Sequence, residues 1–160
     1  CKIGGASKII TTEIIKERAE MAKKIGADYV YLADKQDVVE EILKNTENSG
    51  VDIAYECAGQ QETINQMISV SSIGGTSVIF GIPAEDTVSF DPHIVRRKQL
   101  PIITVRRSAF MTEAVLQLMC NSNIKFSSII THLFPLEKIQ EALEIVSTRS
   151  NGVIKAIIEP

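Results

Sequence analysis

The stretch KIITTEIIKERAEMAKKIGADYVYL, residues 8–32, decides the fold class. It begins with a short apolar run, residues 8–12, that we predict to be a buried strand, and continues with apolar residues at helical spacing over residues 14–25. Gly26 follows as a helix C-cap, and residues 29–32 form a second run rich in strand-forming residues. A strand, a helix and a second strand in close succession indicate an α/β protein.

The same alternation continues along the chain. We predict a helix that begins after Asp34, and later helices over residues 60–71, 110–119 and 136–147. Further strands are predicted over residues 51–57, 74–81, 101–105 and 153–158, with a brief extended segment over residues 87–90. Five or six main strands with interleaved helices predict one domain built on a mostly parallel sheet that is covered on both faces.

Composition excludes several classes of function. The 160 residues are 44% hydrophobic and 23% charged, with a formal net charge of −3, so no overall basic field favours nucleic acid. No apolar run approaches the roughly 20 residues that span a bilayer. The three cysteines, Cys1, Cys57 and Cys120, have neither zinc-ribbon spacing nor an even disulfide framework. We expect a cytoplasmic protein with neither nucleic acid nor membrane as a partner.

The residues that follow each predicted strand are the candidates for ligand binding, because parallel sheets bind ligands beyond the carboxyl ends of their strands. Glu13 ends the first strand, where a carboxylate serves equally well as a specific ligand or as a cap on the following helix. The other candidates are Asp34, the segments Cys57-Ala58-Gly59 and Gly81-Ile82-Pro83, and the pair Arg106-Arg107.

Six segments occur together in one order: IITTE, KKIGADYV, GVDIAYECAG, GGTSVIFGIP, ITHLFPLEKIQEALEIV and NGVIKAIIEP. In this order they resemble the nucleotide-binding half of the medium-chain, zinc-dependent alcohol and polyol dehydrogenases, and in particular the sorbitol or threonine dehydrogenase branch. The resemblance covers almost the whole chain and is specific because all six segments occur. It implies a Rossmann-type doubly wound α/β fold, and an oxidoreductase that transfers hydride between a small alcohol or polyol and NAD.

The resemblance gives Glu13 a function in coenzyme choice. In dinucleotide-binding folds, the acid at the end of the second strand accepts hydrogen bonds from the adenosine ribose hydroxyls and repels a 2′-phosphate. Glu13 therefore implies NAD rather than NADP as the cofactor. Arg18 matches a position where the family often places a base near the adenosine, although an exposed helix arginine is an equal explanation.

Other residues are cofactor-binding candidates through the same resemblance. Ala58 and Gly59 allow the chain to pass close to a nucleotide, with a plain turn as the alternative. Gly81, Ile82 and Pro83 resemble the family's loop beside the nicotinamide. One of Arg106 and Arg107 is expected to reach the cofactor, and Lys155 matches a position that commonly carries a cation toward the pyrophosphate.

The Gly-rich turn G-x-G-x-x-G, with which the family's nucleotide-binding domain opens, does not occur in this sequence. We expect residues 1–6 to be the end of the helix that follows that turn, and the catalytic domain with its zinc to lie outside these 160 residues. The chain itself is therefore expected to contain no catalytic or metal-binding residue and to be inactive alone. His93 and His132 are expected in surface or capping positions, and Cys57 as a small buried residue rather than a nucleophile.

A sheet of order 3-2-1-4-5-6 without its first strand would have two unpaired edges and bare apolar faces. Three explanations stay open: preceding segments are disordered or cleaved, the flanking strands pair directly, or a partner chain inserts. The family also dimerises through the segment that corresponds to residues 87–90, so we expect a homodimer or a higher homo-oligomer.

Three alternatives to a dehydrogenase remain. The chain could be a nucleotide-binding module without catalysis, or a nonfunctional remnant. An S-adenosylmethionine-dependent methyltransferase also has an acid after its second strand, but the segments FPLEKIQEAL and NGVIKAIIEP favour the dehydrogenase.

Overall fold

The computed structural model describes residues 1–107, 110–121 and 126–160, without the side chain of Asn121. The strands are β1 (Ile10–Glu13), β2 (Tyr29–Leu32), β3 (Val51–Glu56), β4 (Ser71–Ile79), β5 (Ile102–Thr104), β6 (Ile130–Pro135) and β7 (Lys155–Glu159). The helices are α1 (Lys16–Lys24), α2 (Val38–Asn45), α3 (Gln61–Val70), α4 (Pro92–Lys98), α5 (Thr112–Asn121) and α6 (Ile139–Thr148). Two 3₁₀ turns, Phe126–Ile129 and Leu136–Lys138, flank β6.

The chain divides into two compact units. The first unit comprises Cys1–Asp34 and Met111–Pro160, and the second unit is Lys35–Phe110. The prediction that the 160 residues are one partial nucleotide-binding domain stays a prediction.

The first unit contains the strand–helix–strand segment of residues 8–32. β1 and β2 pair in parallel, with Ile10 opposite Tyr29 and Glu13 opposite Leu32. Between them, α1 ends at Lys24, and Gly26 follows shortly after with a φ of +113°, a left-handed conformation that glycine adopts without strain. The carboxyl ends of both strands therefore lie at the same edge of this two-stranded sheet.

The carboxyl-terminal part of the first unit is a second parallel pair, β6 with β7. Between these strands α6 packs through Ala142 and Ile145, which form a buried apolar cluster with Phe134 and Val153. We predicted α6 and β7 from the sequence, whereas the strand β6 was not predicted.

The second unit is built on a three-stranded parallel sheet in the order β3-β4-β5. Ala54, Glu56 and Ser77 are buried on the face that α3 covers. On the opposite face Tyr55, Phe80 and Ile103 are each about half exposed, and the rings of Tyr55 and Phe80 lie 5.7 Å apart. Val78, which pairs with Tyr55 on this face, is buried, so the face is partly covered within this unit.

The parallel pairs agree with the fold class predicted from the sequence. In a doubly wound sheet of order 3-2-1-4-5-6, strands 2 and 3 are neighbours, and strands 4, 5 and 6 follow one another. Counted from the second strand of that order, β1 and β2 correspond to strands 2 and 3, and β3, β4 and β5 correspond to strands 4, 5 and 6. The structure is therefore mixed α/β with parallel strands, as predicted, although its strands form three ladders instead of one continuous sheet.

The cap of α2 differs from the prediction. Asp37, and not Asp34, precedes the first helical residue, and its Oδ1 accepts hydrogen bonds from the amides of Val39 and Glu40 at 2.9 and 3.1 Å. A capping side chain must lie immediately before the first turn to reach these amides, so the three-residue displacement excludes Asp34 from this role.

Residues 1–6 form the hydrogen-bond pattern with which helices end. Ala6 N donates to Cys1 O and Gly5 N donates to Lys2 O, and Gly5 has a φ of +86°. These are the two bonds and the left-handed glycine of a Schellman motif. The local structure therefore agrees with the predicted helix end.

Lys98, at the end of α4, binds the carboxyl end of α3. Its Nζ donates to the carbonyl oxygens of Ile68, Ser69 and Ser71 at 3.1, 2.6 and 2.7 Å. An ammonium group is well placed there, because the last carbonyls of a helix lack intrahelical donors and carry partial negative charge. Desolvation lowers the pKa of Lys98 below its usual value.

We expect Lys98→Met to lower the free energy of unfolding by about 1 to 2 kcal/mol, because three carbonyl groups lose a charged donor. Urea unfolding followed by circular dichroism measures this change. Arg96→Met, an exposed cation in the same helix, is the matched control and should change stability by less than about 0.5 kcal/mol. Equal effects of the two substitutions would contradict the capping role.

Within residues 1–107, 110–121 and 126–160, no helix is both long and apolar enough to cross a bilayer.

Candidate functional site

Glu13 is the last residue of β1 and is partly buried. Its Oε1 accepts hydrogen bonds from the amides of Ile14 and Ile15 at 2.8 and 3.2 Å. The carboxylate therefore stabilises the turn that leads into α1, which begins at Lys16. Both bonds use one oxygen, so this local role and ligand binding by Oε2 are compatible.

Arg18 and Lys155 belong to the first unit with Glu13. Arg18 lies in the first turn of α1 and is partly buried, whereas Lys155 is the exposed first residue of β7. Within the described residues, none of these three side chains hydrogen-bonds to another. The structure gives each side chain a position, and their contacts with a cofactor stay predictions.

In the second unit, the loops after β3 and β4 touch through two glycines. The amides of Ala58 and Gly59 each donate to Glu56 Oε1 at 2.7 Å. Gly59 has a φ of +69°, and a Cβ added there would lie 2.5 Å from Ile82 O. A Cβ on Gly81 would overlap Gly59 N and Glu56 Oε2. The two loops therefore approach as closely as backbone allows, and only glycine fits at either position.

Three predicted site residues thus lie together: Gly59, Gly81 and Ile82. The Ile82 side chain is 72% exposed, and Pro83 is partly buried. Arg106 and Arg107 follow β5 as exposed side chains. An exposed isoleucine beside the buried Gly59 and the partly buried Gly81 provides an apolar surface of the kind that borders small-molecule sites.

Cys57 lies between Glu56 and Ala58 and is exposed as a residue, contrary to the predicted buried position. The pKa of its thiol is nevertheless raised, mainly by desolvation of the sulfur and to a smaller extent by the negative charge of Glu56. A raised pKa keeps the group as the neutral thiol, and the thiolate is the nucleophilic form. Cys57 therefore lacks the activation that a catalytic cysteine needs.

The two histidines have local partners. His93 follows the Asp91 cap of α4 and donates its backbone amide to Asp91 Oδ1 at 2.7 Å. The His132 ring stacks on Phe134, with its Nδ1 2.9 Å from Thr131 Oγ1. Across the parts of the chain that the structure describes, no group of three or more His, Cys, Asp or Glu side chains could hold a metal ion. These residues do not fit a zinc site, so we derive no zinc-dependent step from them.

The sequence interpretation missed Glu56 and Thr63, which support the two loops. Thr63 Oγ1 lies 2.7 Å from Glu56 Oε1. The strand VDIAYE did contain a signal for Glu56. Glu56 lies on the same inward face of the strand as Ala54, at a position that ordinarily holds an apolar residue.

The mixed α/β fold with its parallel strands matches part of solved alcohol dehydrogenase structures. A family model described as "Zinc-binding dehydrogenase" matches residues 1–121, and the chain belongs to this family.

Among individual relatives, the chain is 27% identical to the sorbitol dehydrogenase of Bacillus subtilis and 31% identical to the L-threonine 3-dehydrogenase of Pyrococcus horikoshii. The alignments cover 99% and 96% of this chain but 45% of each relative. A solved zinc-binding dehydrogenase from Sinorhizobium meliloti, bound to NADP, is similar with a TM-score of 0.88 and 25% identity, over 99% of this chain and 47% of that one. The chain thus spans a little under half the length of the curated relatives that it matches.

Proposed function

We propose that this chain is the nucleotide-binding portion of an NAD-dependent dehydrogenase that acts on a small alcohol or polyol. The named activities of the relatives support the reaction class. When bound, the cofactor would supply a hydride acceptor, C4 of its nicotinamide ring, for oxidation of the alcohol. The residues of this chain bind and orient the cofactor.

The observation that carries the coenzyme choice is the carboxylate of Glu13 at the carboxyl end of β1. Oε1 is already used by the amides of Ile14 and Ile15, which fixes the orientation of the side chain. We propose that Oε2 accepts hydrogen bonds from the adenosine ribose hydroxyls. A 2′-phosphate in the same place would meet a like charge, so NAD is favoured over NADP.

The remaining contacts are proposed one by one. In the first unit, Arg18 lies near the adenosine and Lys155 pairs with a pyrophosphate oxygen. In the second unit, Ala58, Gly59 and the loop Gly81-Ile82-Pro83 border the nicotinamide, and Arg106 or Arg107 contacts the cofactor. The glycine pair supports this assignment, since a ligand can approach backbone that carries no Cβ.

Glu13→Gln tests the coenzyme choice. Glutamine keeps an oxygen for the amides of Ile14 and Ile15 but removes the negative charge, so the local turn should persist while the repulsion of a 2′-phosphate is lost. We expect the ratio of NAD to NADP affinity, measured by calorimetry, to fall by about tenfold, which corresponds to about 1.4 kcal/mol.

Glu20→Gln provides the matched control, because Glu20 is an exposed acid on the same helix and forms only a surface pair with Lys16 at 3.8 Å. Its coenzyme ratio should equal that of the wild type. If wild type binds NAD and Glu13→Gln leaves the ratio unchanged, Glu13 is a structural cap alone. If wild type binds neither coenzyme, the proposed function is wrong.

A further inference from the structure

Glu56 is an unusual residue of the second unit. It is 2% exposed and is the one charged side chain in the buried class within the described ranges. Removing a carboxylate from water is costly unless its oxygens receive hydrogen bonds. The contacts of Glu56 therefore show what compensates its burial.

The two carboxylate oxygens of Glu56 have different surroundings. Oε1 has three partners at 2.7 Å, namely the amides of Ala58 and Gly59 and the hydroxyl of Thr63. Oε2 is fully buried, and no hydrogen-bond partner for it is present in the described parts of the chain. It lies against Gly81, where any Cβ would overlap it. One oxygen therefore anchors the loop after β3, and the other occupies the space that a side chain at position 81 would need.

The main chain of Glu56 connects the same residue to the loop after β4. Its carbonyl oxygen accepts hydrogen bonds from Phe80 N at 2.7 Å and from Gly81 N at 3.0 Å. Glu56 thus contacts both strand-end loops and, through Thr63, the first turn of α3.

We propose that Glu56 is a positioning residue that sets the separation of the two loops and so orients the nicotinamide end of the cofactor. This inference rests on the proposed function. The length of the side chain determines the position of the Ala58 and Gly59 amides relative to Gly81, and Gly81 begins the loop assigned to the nicotinamide. Glu56 itself is buried and does not touch the cofactor.

The experiment compares NAD with ADP-ribose, which has the same adenosine and pyrophosphate but no nicotinamide. Both are titrated calorimetrically into the 160-residue chain as wild type, Glu56→Gln and Glu56→Asp. Glutamine keeps the length and an acceptor oxygen, whereas aspartate keeps the charge and shortens the reach. We expect Glu56→Asp to bind NAD about tenfold more weakly with ADP-ribose affinity within twofold of wild type, and Glu56→Gln to bind both within about threefold of wild type.

Amide hydrogen exchange at Ala58 and Gly59 gives an independent readout that does not need a ligand. Glu56→Asp should accelerate exchange at these two amides, while the amides of β1 and β2 keep their wild-type rates. If Glu56→Asp unfolds, Thr63→Val removes one of the three donors to Oε1 with little change of volume and should show the same selective loss of NAD affinity to a smaller degree.

Several outcomes would overturn the inference. Equal losses for NAD and ADP-ribose, or no loss for either, would make Glu56 a purely structural residue. Wild-type protein that binds ADP-ribose as tightly as NAD would show that the nicotinamide end makes no contact, while dinucleotide binding itself would stand. Wild-type protein that binds neither ligand would refute the proposed function, a result distinct from the first two.

Discussion

Gly81→Val is expected to unfold the second unit, lowering the free energy of unfolding by about 4 kcal/mol or more. A Cβ at this position would overlap the backbone nitrogen of Gly59 and the buried Oε2 of Glu56. Domains of this size are stable by only about 5 to 15 kcal/mol, so one such overlap removes a large share of the total.

The overlap at Gly81 cannot be relieved by a small movement, because hydrogen bonds hold the backbone at Gly81 and Gly59 and the Oε1 atom of the Glu56 carboxylate. Gly81 N donates to Glu56 O at 3.0 Å, and Gly59 N donates to Glu56 Oε1 at 2.7 Å. Moving Gly59 away would expose or break the second of these bonds. The left-handed φ values of the chain do not include Gly81, so the cost arises from contact alone and not from backbone conformation.

Urea unfolding followed by circular dichroism checks the effect of Gly81→Val. The matched control is Ala84→Val, a substitution at an exposed position shortly after Gly81, which should change stability by less than about 0.5 kcal/mol. An unchanged unfolding midpoint for Gly81→Val would show that the two loops are farther apart than the structure places them.

The elements that the sequence predicted well are those with a strong local pattern. The strand Tyr29–Leu32 has the predicted bounds, and α3 differs from the prediction by one residue at each end. β2 is a run of strand-forming residues, whereas in α3 the apolar residues Ile64, Met67 and Ile68 recur at helical spacing. The missed helix α4 has only seven residues, too few to show a period, although the Asp91-Pro92 pair at its start is a recognised N-terminal signal.

The missed strand β6 has a different cause. Phe134 is its one side chain in the buried class, at 9% exposure, its other residues are partly buried or exposed, and it ends in Pro135. Its partner β7 lies some twenty residues later along the chain. A strand whose pairing is non-local and whose pattern is mixed leaves little signal in the sequence that surrounds it.

The candidate site shows the same contrast between residues with a local sequence signal and residues whose role depends on tertiary contacts. The general rule that ligands bind at strand ends selected Gly59, Gly81 and Ile82, and the structure brings these three together. Glu56 escaped notice because its role depends on backbone amides of Ala58 and Gly59, which no side-chain motif encodes. The close approach of the two loops likewise follows from tertiary packing, which the sequence pattern alone does not specify.

Ile64→Ala is the second substitution with a large expected effect. Ile64 lies in α3, directly after Thr63, and is fully buried at 0% exposure. Its α3 neighbours Met67 and Ile68 are also buried. Truncation to alanine removes three carbon atoms and leaves a cavity, so we expect the free energy of unfolding to fall by about 3 kcal/mol.

Two controls separate the cavity at Ile64 from a general loss of apolar surface. Ile64→Val removes a single methylene and should cost about 1 kcal/mol, while Ile73→Ala, at a side chain that is 77% exposed, should cost almost nothing. Similar unfolding midpoints for Ile64→Ala and Ile73→Ala would contradict the packing of α3 on the sheet.

The Ile64→Ala variant also distinguishes stability from positioning. Ile64 contributes to the core and not to the anchoring of the loops, so the folded fraction of Ile64→Ala should bind NAD and ADP-ribose with the wild-type ratio of affinities. Glu56→Asp is expected to change that ratio whether or not it lowers stability. If both variants shifted the ratio equally, the selectivity for the nicotinamide end would depend on the rigidity of the second unit as a whole, and the specific role of Glu56 would be lost.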